Sequence, residues 1–478
     1  MPWTHMCQIA GHPMEADFDC SVVDLPARLA VVGDYDGDGL DEIFIAPLPV
    51  VQVTSGGPPP PSAVGVGWIR KYNSSTNTFE PFSRIAGNPF EADVIFSGGD
   101  IVSAVAADFD GPGITGKKQH QILCAYRILI PIKNWFGFTV GYTTSFRYDV
   151  KAFSTATKKW NDVGTLLQPV TDSAAFFAQP RPLLAVGEYL GNARDQLACN
   201  FIALGTIGND FHLTQYMGPG PVKAGPGSGW RSALYDFDCS SSNYPARFAV
   251  VGDFDGDGND EIAVAPDAPG TMGNDFWVMK YDYTRWRHLG LTSTGFWADF
   301  DCSGDPAPAK FAVAGDFDGD GRYEIAVAHE TSSVVTGNQF WVMKWNAATQ
   351  MWDHLGEVND GLPFDFRCSK IDSTPAKFAV VGDFDGDGLE EIAVAPEASG
   401  TRGNDFWVMK WNTNRSQWEN LGLSATTTFP ADFDCSGLDF AARFAVAGDF
   451  DGDGRSEIAI APDASGSAGN DFWVMKFV

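Results

Sequence analysis

"GDFDGDGNDEIAVAP", residues 252–266, places five acidic side chains within ten positions and then becomes apolar. Nearly the same string begins at 315, 382 and 448, and a close copy begins at 33. Like charges this close together repel one another unless a cation lies between them. The apolar segment that follows has the alternation and composition of a β-strand. The stretch therefore predicts a cation-binding loop joined directly to a strand.

The string marks an internal repeat that runs along the whole chain. Its first glycine, or the equivalent residue, recurs at intervals of 63 to 80 residues, at Gly33, Ala107, Gly187, Gly252, Gly315, Gly382 and Gly448. The second and third copies are eroded, to "ADFDGPGITGKKQHQI" and "GEYLGNARDQL". A fixed period of this kind is typical of a repeat architecture. We therefore expect seven structural units.

Each unit contains four short strand patterns. In the fifth unit these are "AKFAVAGDF", "YEIAVAHE", "NQFWVMKWN" and "MWDHLG", separated by clusters of Gly, Pro, Asp and Ser. No segment shows a sustained helical period. Four strands in each of seven units predict an all-β fold, a seven-bladed β-propeller of four-stranded antiparallel blades.

The two ends of the chain are predicted to share one blade. The seventh unit stops at "NDFWVMKFV", residues 470–478, without a fourth strand, whereas "PWTHMCQIAG" near the start aligns with "QWENLGLSA" of the sixth unit. Trp3 then takes the place of Trp418, and the N-terminal strand removes open sheet edges. We expect one domain, 1–478, with approximate blades 26–85, 100–167, 180–233, 246–292, 309–358, 376–424, and 442–478 plus 1–10.

The acidic loops carry a metal-ligand pattern. Numbered from the first aspartate, carboxylates stand at positions 1, 3, 5 and 9, with glycine at 6 for a sharp reversal. Hard oxygen ligands around one centre suit Ca²⁺. The complete sets are Asp34, Asp36, Asp38 and Glu42; Asp253, Asp255, Asp257 and Glu261; Asp316, Asp318, Asp320 and Glu324; Asp383, Asp385, Asp387 and Glu391; and Asp449, Asp451, Asp453 and Glu457. The sequence predicts about five structural calcium ions as cofactors.

Two units lack the set. The second keeps only Asp108 and Asp110, and the third has Glu188 and Asn192 with Leu190 between them. We expect both loops to hold no ion.

The "DxDxDGxxE" loops resemble the FG-GAP (VCBS-type) repeats of integrin α-subunit propellers. The resemblance covers all seven units. In function, the chain resembles fungal lectins with integrin-like seven-bladed propellers. Some polysaccharide lyases with propeller folds carry similar calcium loops. The resemblance implies that the calcium is chiefly structural. "NDFWVMKW" belongs to none of these patterns.

The acidic loops connect first and second strands and so line one face of the predicted propeller. The "NDFWVMKW" string follows second–third loops, which lie on the opposite face. Loops from several blades are expected to meet a ligand there. Planar amides and carboxylates above an aromatic ring are typical of sugar sites. Repeated sites would also give avidity. The other interpretation is that Asn and Asp form a turn and Trp packs between blades. The candidate ligand-binding residues are Asn274, Asp275, Trp277, Asn338, Trp341, Asn404, Asp405, Trp407, Asn470, Asp471 and Trp473.

A second string, "DFDCS", repeats on the same face. Its aspartates either cap a turn or line an acidic pocket, and Arg367 breaks the pattern in "DFRCS". The pairs are Asp17 and Asp19, Asp236 and Asp238, Asp299 and Asp301, and Asp432 and Asp434. Two segments, 47–68 and 128–146, enlarge second–third loops of this face, and the latter suggests either an aromatic flap or a protein interface.

Composition excludes several function classes. A formal net charge of −29 argues against nucleic acid, and no apolar run approaches a membrane span. Five of eight cysteines share one repeat position, which favours packed thiols over disulfides. The first twenty residues lack a signal peptide, so the localisation is unknown: cytoplasmic for a native start, extracellular if a signal was removed.

Two functions from different classes remain open. The first is a calcium-stabilised lectin that binds a glycan or another small polar ligand, as a monomer or small homo-oligomer. The second is a propeller enzyme with one site at the channel mouth built by blades 1–3. No catalytic motif is present. Unrepeated candidates for such a site are Arg127, Arg147, Tyr148 and Asp149.

Overall fold

The computed structural model confirms an all-β propeller of seven antiparallel four-stranded blades. It describes residues 2–20, 26–47, 65–88, 91–96, 100–109, 119–133, 139–167, 183–200, 210–216, 230–232, 237–239, 244–290, 298–302, 307–332, 336–356, 358–359, 363–368, 373–422 and 431–478. Among these, the regular elements other than strands are three short 3₁₀ turns, at Gly270–Asn274, Gly400–Asn404 and Gly466–Asn470.

Each blade is a meander in which consecutive strands pair from the channel outward. The chain opens with β1 (Trp3–His5) and β2 (Phe18–Asp19), which belong to blade 7. Blade 1 contains β3 (Ala27–Gly33), β4 (Glu42–Pro47), β5 (Gly65–Asn73), β6 (Thr78–Pro81) and β7 (Val94–Phe96); blade 2 contains β8 (Asp100–Ala107), β9 (Gln121–Lys133), β10 (Thr139–Ser154) and β11 (Lys159–Leu167). Blade 3 contains β12 (Leu184–Gly187), β13 (Gln196–Asn200), β14 (Asp210–Tyr216), β15 (Trp230–Ser232) and β16 (Phe237–Asp238).

The remaining blades follow the same order. Blade 4 contains β17 (Ala246–Gly252), β18 (Glu261–Pro266), β19 (Asp275–Tyr281), β20 (Trp286–His288) and β21 (Phe300–Asp301); blade 5 contains β22 (Ala309–Gly315), β23 (Glu324–His329), β24 (Gln339–Asn346), β25 (Met351–His354) and β28 (Phe366–Arg367). A separate hairpin pairs β26 (Val358–Asn359) with β27 (Pro363–Phe364). Blade 6 contains β29 (Ala376–Gly382), β30 (Glu391–Pro396), β31 (Asp405–Asn412), β32 (Gln417–Asn420) and β33 (Phe433–Asp434), and blade 7 contains β34 (Ala442–Gly448), β35 (Glu457–Pro462) and β36 (Asp471–Phe477).

The core lies between neighbouring blades. Every residue of β18 is buried, as are those of β23, β30 and β35, because both faces of these second strands are covered by adjacent sheets. Between blades 4 and 5, Phe254 and Phe300 pack with Trp341, Trp345 and Trp352 in one buried cluster. Burial of each such aromatic side chain contributes about 1.5–3 kcal/mol to stability.

A ring of backbone hydrogen bonds joins all seven blades at the acidic face. In each junction the residue just before the second strand donates its N–H to the carbonyl oxygen at loop position 1 of the preceding blade, over 2.8 to 3.2 Å. The seven bonds run from His120 to Asp34, Asp195 to Asp108, Asp260 to Glu188, Tyr323 to Asp253, Glu390 to Asp316, Ser456 to Asp383, and Asp41 to Asp449. The last bond closes the circle between blades 7 and 1.

The N-terminal strand completes blade 7 as predicted. β1 pairs with β36, with Trp3 opposite Phe477. The Trp3 indole is buried and lies 4.6 Å from Phe433 between ring centroids. Its Nε1 is 3.5 Å from the Leu421 carbonyl oxygen, which matches the bond from Trp418 to Leu355 one blade earlier. Trp3 therefore occupies the repeat position that Trp418 holds in blade 6.

The sequence did not predict a fifth short strand. The fourth strand pairs with the end of the third, and a two-residue Phe-Asp strand pairs with its beginning, as β21 does with β19. Its phenylalanine stacks on the aromatic ring of the third strand, with Phe276 and Phe300 at 4.9 Å. Such pairs contribute about 0.5–1.5 kcal/mol beyond their buried area. The same stack recurs in blades 3, 5, 6 and 7.

Two expectations about loops and cysteines have definite outcomes. The prediction of a loop over 128–146 is wrong for the described residues, because β9 and β10 continue their antiparallel pairing out to Lys133 and Thr139. Residues 48–64 of the other enlarged segment, and Trp135, Phe136 and Phe138, lie outside the described residues.

All eight cysteines are buried free thiols. Among the described residues, no helix has the length and apolar character needed to cross a membrane.

Replacing the ring-closing tryptophan should weaken the whole domain. Trp3→Ala is expected to lower the free energy of unfolding by about 3–5 kcal/mol, since a buried indole is lost and the last blade loses its outer strand contact. Chemical denaturation monitored by circular dichroism measures this change. Met351→Ala, at a side chain that is 56% exposed, is the control and should change stability by less than about 0.5 kcal/mol. Equal, small effects for both variants would contradict the closure.

Candidate metal centres and the opposite face

The acidic loop is shaped by its first aspartate. In blade 4, Asp253 Oδ1 accepts hydrogen bonds from the N–H groups of Gly256 (2.8 Å) and Asp257 (3.0 Å), and Oδ2 accepts from Gly258 (2.8 Å). Gly256 and Gly258 have φ of +77° and +88°, a backbone region that glycine adopts without strain. The loop thereby folds the carboxylates at positions 3, 5 and 9 toward one point.

The structure gathers carboxylate oxygens in all five predicted loops. In each group the oxygens lie within 4.8 Å of one another. Blades 4 and 6 bring together all four predicted residues. The groups of blades 1, 5 and 7 comprise Asp34, Asp36 and Glu42; Asp316, Asp318 and Asp320; and Asp449, Asp451 and Asp453. The donor set of each loop therefore fits a hard cation.

The position-9 glutamate has two separate tasks. Its Oε2 accepts a hydrogen bond from the backbone N–H at loop position 2, as Glu261 does from Phe254 at 2.9 Å. Its Oε1 faces the other carboxylates. Glu261 is fully buried, and burial, reinforced by the nearby Asp255 charge, raises its pKa to about 8. Burial also raises the pKa of Glu42, Glu324 and Glu391 to about 8 and that of Glu457 to about 7.

A lysine that the sequence analysis missed enters each of the five clusters. In blade 4, Lys280 near the end of β19 donates to Asp255, and its Nζ lies 2.7 Å from Asp257 Oδ2 and 3.3 Å from Glu261 Oε1. Burial opposes the charged form of Lys280, but hydrogen bonds to Asp255 and Asp257 outweigh it and raise its pKa. The equivalents are Lys71, Lys344, Lys410 and Lys476.

Blades 2 and 3 differ from the others at the position-9 residue and at the lysine. Gln121 and Gln196 replace the position-9 glutamate. Gln121 accepts the N–H of Phe109 at loop position 2 (2.7 Å), whereas Gln196 accepts that of Leu190 at position 3 (3.0 Å). Ala152 and Gln215 stand where the other blades have lysine, by the strand register. A neutral amide thus replaces the carboxylate in both blades, and carboxylate and lysine occur together. Asp110 lies outside the described residues.

Comparison with known proteins identifies the repeat. Residues 382–460, which include the blade 6 loop, match the family model described as FG-GAP-like repeat. Residues 382–460 of this β-propeller therefore carry an FG-GAP-like repeat. No curated protein matches the chain.

Two solved structures are similar to this propeller. The exotype rhamnogalacturonan lyase YesX is 15% identical, with a TM-score of 0.43, over 94% of this chain and 72% of that one. A protein from Lactobacillus plantarum is 9% identical, with a TM-score of 0.39, over 82% of each chain. Both TM-scores are below 0.5, and nothing about this chain's function follows from either.

On the opposite face of the propeller, the predicted asparagines and tryptophans lie inside the protein. Asn274 is fully buried, and its carbonyl oxygen accepts the N–H of Cys302 at 3.3 Å. Trp277 is 5% exposed and packs in the core between blades 3 and 4. The same burial holds for Asn338, Asn404 and Asn470 and for Trp341, Trp407 and Trp473. This placement corresponds to the turn-and-packing interpretation.

The first aspartate of "DFDCS" is a buried cap. Asp299 Oδ2 accepts the N–H of Val278 at 2.7 Å. Val278 lies between the residues of β19 that pair with β21 and those that pair with β20. His288 Nδ1 lies 2.8 Å from the same oxygen. The equivalent caps are Asp17, Asp93, Asp365 and Asp432. Asp236 lies outside the described residues.

The second aspartate instead forms an acidic pair near the surface. Asp301 is opposite Asp275 in the β19–β21 register, and the same pairing joins Asp238 to Asp210, Asp434 to Asp405 and Asp19 to Asp471. Burial, together with the Asp301 charge, raises the pKa of Asp275 to about 7. Burial, together with the Asp19 charge, likewise raises the pKa of Asp471 to about 7. In blade 5, Gln339 and Arg367 occupy this register.

The unrepeated residues of blade 2 form a compact polar group. Arg147 Nε donates to Asp149 Oδ1 at 3.1 Å, and Tyr126 donates to Asp149 Oδ2. Asp149 and Tyr148 are both buried. The side chain of Arg127 lies outside the described residues.

The acidic pairs should make stability fall with rising pH. In the folded state Asp275 favours its protonated form relative to an ordinary value of 3.8, so its stabilising contribution is present at low pH and is lost as pH rises through about 7. Asp275→Asn should therefore raise the free energy of unfolding at pH 8 by about 0.5–1 kcal/mol, after allowance for solvent screening, and raise it by less at pH 5, where only part of the contribution has been lost.

Thermal melts at the two pH values measure the difference. Asp267→Asn, at an exposed aspartate between β18 and β19, is the matched control and should show no pH-dependent change. A stabilisation of Asp275→Asn that was equal at pH 5 and pH 8 would argue against the paired titration.

Proposed function

We propose that the protein is a calcium-stabilised binding propeller whose ligand is carbohydrate. Five loops would each hold one Ca²⁺ through the carboxylates at positions 1, 3, 5 and 9, and the ion would fix the hairpin between the first two strands of the blade. The face opposite these loops would bind the glycan. The role of the calcium is structural, because each cluster is enclosed within a single blade.

One observation carries the calcium proposal: the position-9 glutamate presents a second buried oxygen that the loop fold does not require. Gln121 completes the same backbone bond without a charge, and Gln196 accepts the N–H of the next residue, Leu190 at position 3. Yet the five loops with aspartates at positions 3 and 5 all keep glutamate, despite burial that opposes its ionised form. A divalent ion reverses that penalty, since a nearby cation favours the charged carboxylate.

The acidic pairs support carbohydrate as the ligand class. A pair such as Asp275 and Asp301 offers adjacent carboxyl groups, and Asp301 and Asp434 are exposed. Carboxylates accept hydrogen bonds from vicinal hydroxyl groups. Repetition in four blades would bind a multivalent glycan with avidity. The buried tryptophans would support these positions from below without touching the sugar.

The enzyme alternative has a specific observation in its favour. Among the residues that the structure describes, blade 2 alone combines the extended β9–β10 hairpin with the Arg147, Asp149 and Tyr126 contacts. A single catalytic site would be expected in such an unrepeated region. Glycan binding that requires only the repeated aspartates would favour the lectin, whereas turnover lost on changing Arg147 would favour the enzyme.

Glutamate-to-glutamine exchange tests the calcium sites. Glu324→Gln imitates the natural glutamines of blades 2 and 3, so it should preserve the fold and remove one bound ion. We expect bound calcium, measured by equilibrium dialysis with elemental analysis, to fall from about five to four ions per chain. At calcium concentrations about 100 times the dissociation constant, each filled site adds about 2.7 kcal/mol of stability.

Glu397→Gln, at an exposed glutamate outside the loops, is the control and should keep the full calcium content. If wild-type protein bound no calcium and melted at the same temperature with and without a chelator, calcium binding at these loops would be refuted.

A glycan array tests the ligand class. Wild-type protein should bind a subset of glycans, and Asp301→Asn combined with Asp434→Asn should weaken this binding at least about tenfold, because loss of repeated sites reduces avidity. Asp267→Asn is again the control. Absence of binding at millimolar sugar would contradict the lectin proposal and favour the enzyme.

A further inference from the structure

Five lysines occupy the space that the carboxylates of the loops surround. The Nζ atoms lie 2.6 to 2.8 Å from the position-5 aspartates, Asp38, Asp257, Asp320, Asp387 and Asp453. They also lie 2.7 to 3.3 Å from the position-9 glutamates. A single monovalent group thus contacts the same oxygens that would bind a metal ion.

The lysine does not satisfy the cluster completely. Among the described residues, buried Oε1 atoms of Glu261, Glu324 and Glu457 accept no hydrogen bond of good geometry, although lysine nitrogens lie 3.1 to 3.3 Å away. Asp255 Oδ1 and Asp318 Oδ1 are also buried without a hydrogen bond. One positive charge among four carboxylates leaves acceptors that a divalent ion could use.

The lysine occurs together with the full carboxylate set, and strand pairing alone does not account for it. Pairing with the fourth strand places Ala152 of blade 2 and Gln215 of blade 3 at this position. If the lysine served only strand pairing or solubility, the eroded blades would have no reason to lose it. Its occurrence therefore depends on the negative charge of the loop.

We propose that these five lysines are internal counter-ions that hold the acidic loops until a divalent ion displaces them. The inference rests on the calcium binding proposed above. An ammonium group and Ca²⁺ cannot share the same oxygens, so metal entry requires the lysine to swing outward. Each lysine is only 18 to 22% exposed in the loop, and its long side chain can reach solvent without moving the backbone.

Displacement raises the calcium concentration that each loop needs. If the lysine is out of the cluster for about a tenth of the time, the apparent calcium affinity is about tenfold weaker than that of the open loop. The lysine also protects the metal-free blade against repulsion between the carboxylates. The chain would then be folded at low calcium and would bind the ion only above a threshold that the lysine sets.

Lysine footprinting on the unmodified chain tests the displacement. Reductive methylation followed by peptide mass spectrometry should show Lys71, Lys280, Lys344, Lys410 and Lys476 protected in chelator and several-fold more reactive in calcium. Lys310 is the matched control. It has 20% exposure against 19% for Lys280, and it bonds to the Ala376 carbonyl oxygen and Glu397 outside the loops. Bound calcium with unchanged protection of the five lysines would overturn the proposal.

A variant separates this proposal from calcium binding itself. Lys344→Met should lower the melting temperature by several degrees in chelator and bind calcium about tenfold more tightly at its loop, whereas Lys310→Met should do neither. A melting temperature in chelator equal to that of wild type would overturn the counter-ion role. Loss of stability in chelator, with no calcium bound by either protein, would refute the proposed calcium sites and the displacement, leaving a permanent counter-ion.

Discussion

The confinement of four carboxylates to one short loop is the constraint on which five of the seven blades depend. Turn geometry creates it, because the first aspartate binds the backbone of the reversal and directs the next two side chains inward. The buried glutamate completes the set from the start of the second strand. Repulsion among these charges would open the hairpin unless a cation compensates it. Lysine supplies one such charge, and a divalent ion would supply two.

The same loops connect the blades. The backbone carbonyl of loop position 1 accepts the inter-blade hydrogen bond at every junction, including the bond from Asp41 to Asp449 that closes the ring. The side chain of that residue shapes the charged loop while its carbonyl binds the next blade. Anything that rigidifies the loop therefore also fixes the junction. Blades 2 and 3 keep the junction bond, and in each a neutral glutamine accepts a loop N–H, so the circle persists where the charge set is lost.

The sequence was sufficient for the blade count, the acidic loops and the N-terminal strand, because each depends on a local, repeated pattern. The fifth strand was not predicted, because a two-residue segment such as Phe300–Asp301 is too short to show a period. The lysine was missed because its partners lie about 25 residues earlier, as for Lys280 and Asp255. A signal did exist: a lysine interrupts an apolar strand in the five units with full acidic sets.

The opposite face shows the limit of residue types as a guide to a site. Asn274 and Trp277 have the chemistry of a sugar site, but packing by the neighbouring blade buries both. Burial of this kind depends on contacts between units and cannot be inferred from one repeat. The acidic pairs became visible only through the strand register, which places Asp301 opposite Asp275.

Crystals grown with calcium, examined by anomalous scattering at long wavelength, test the central claim most directly. The account predicts an ion among the carboxylates of blades 1, 4, 5, 6 and 7, with each lysine turned out of its loop. Lysine nitrogens that stayed within all five clusters at saturating calcium, with no anomalous peak beside them, would contradict it.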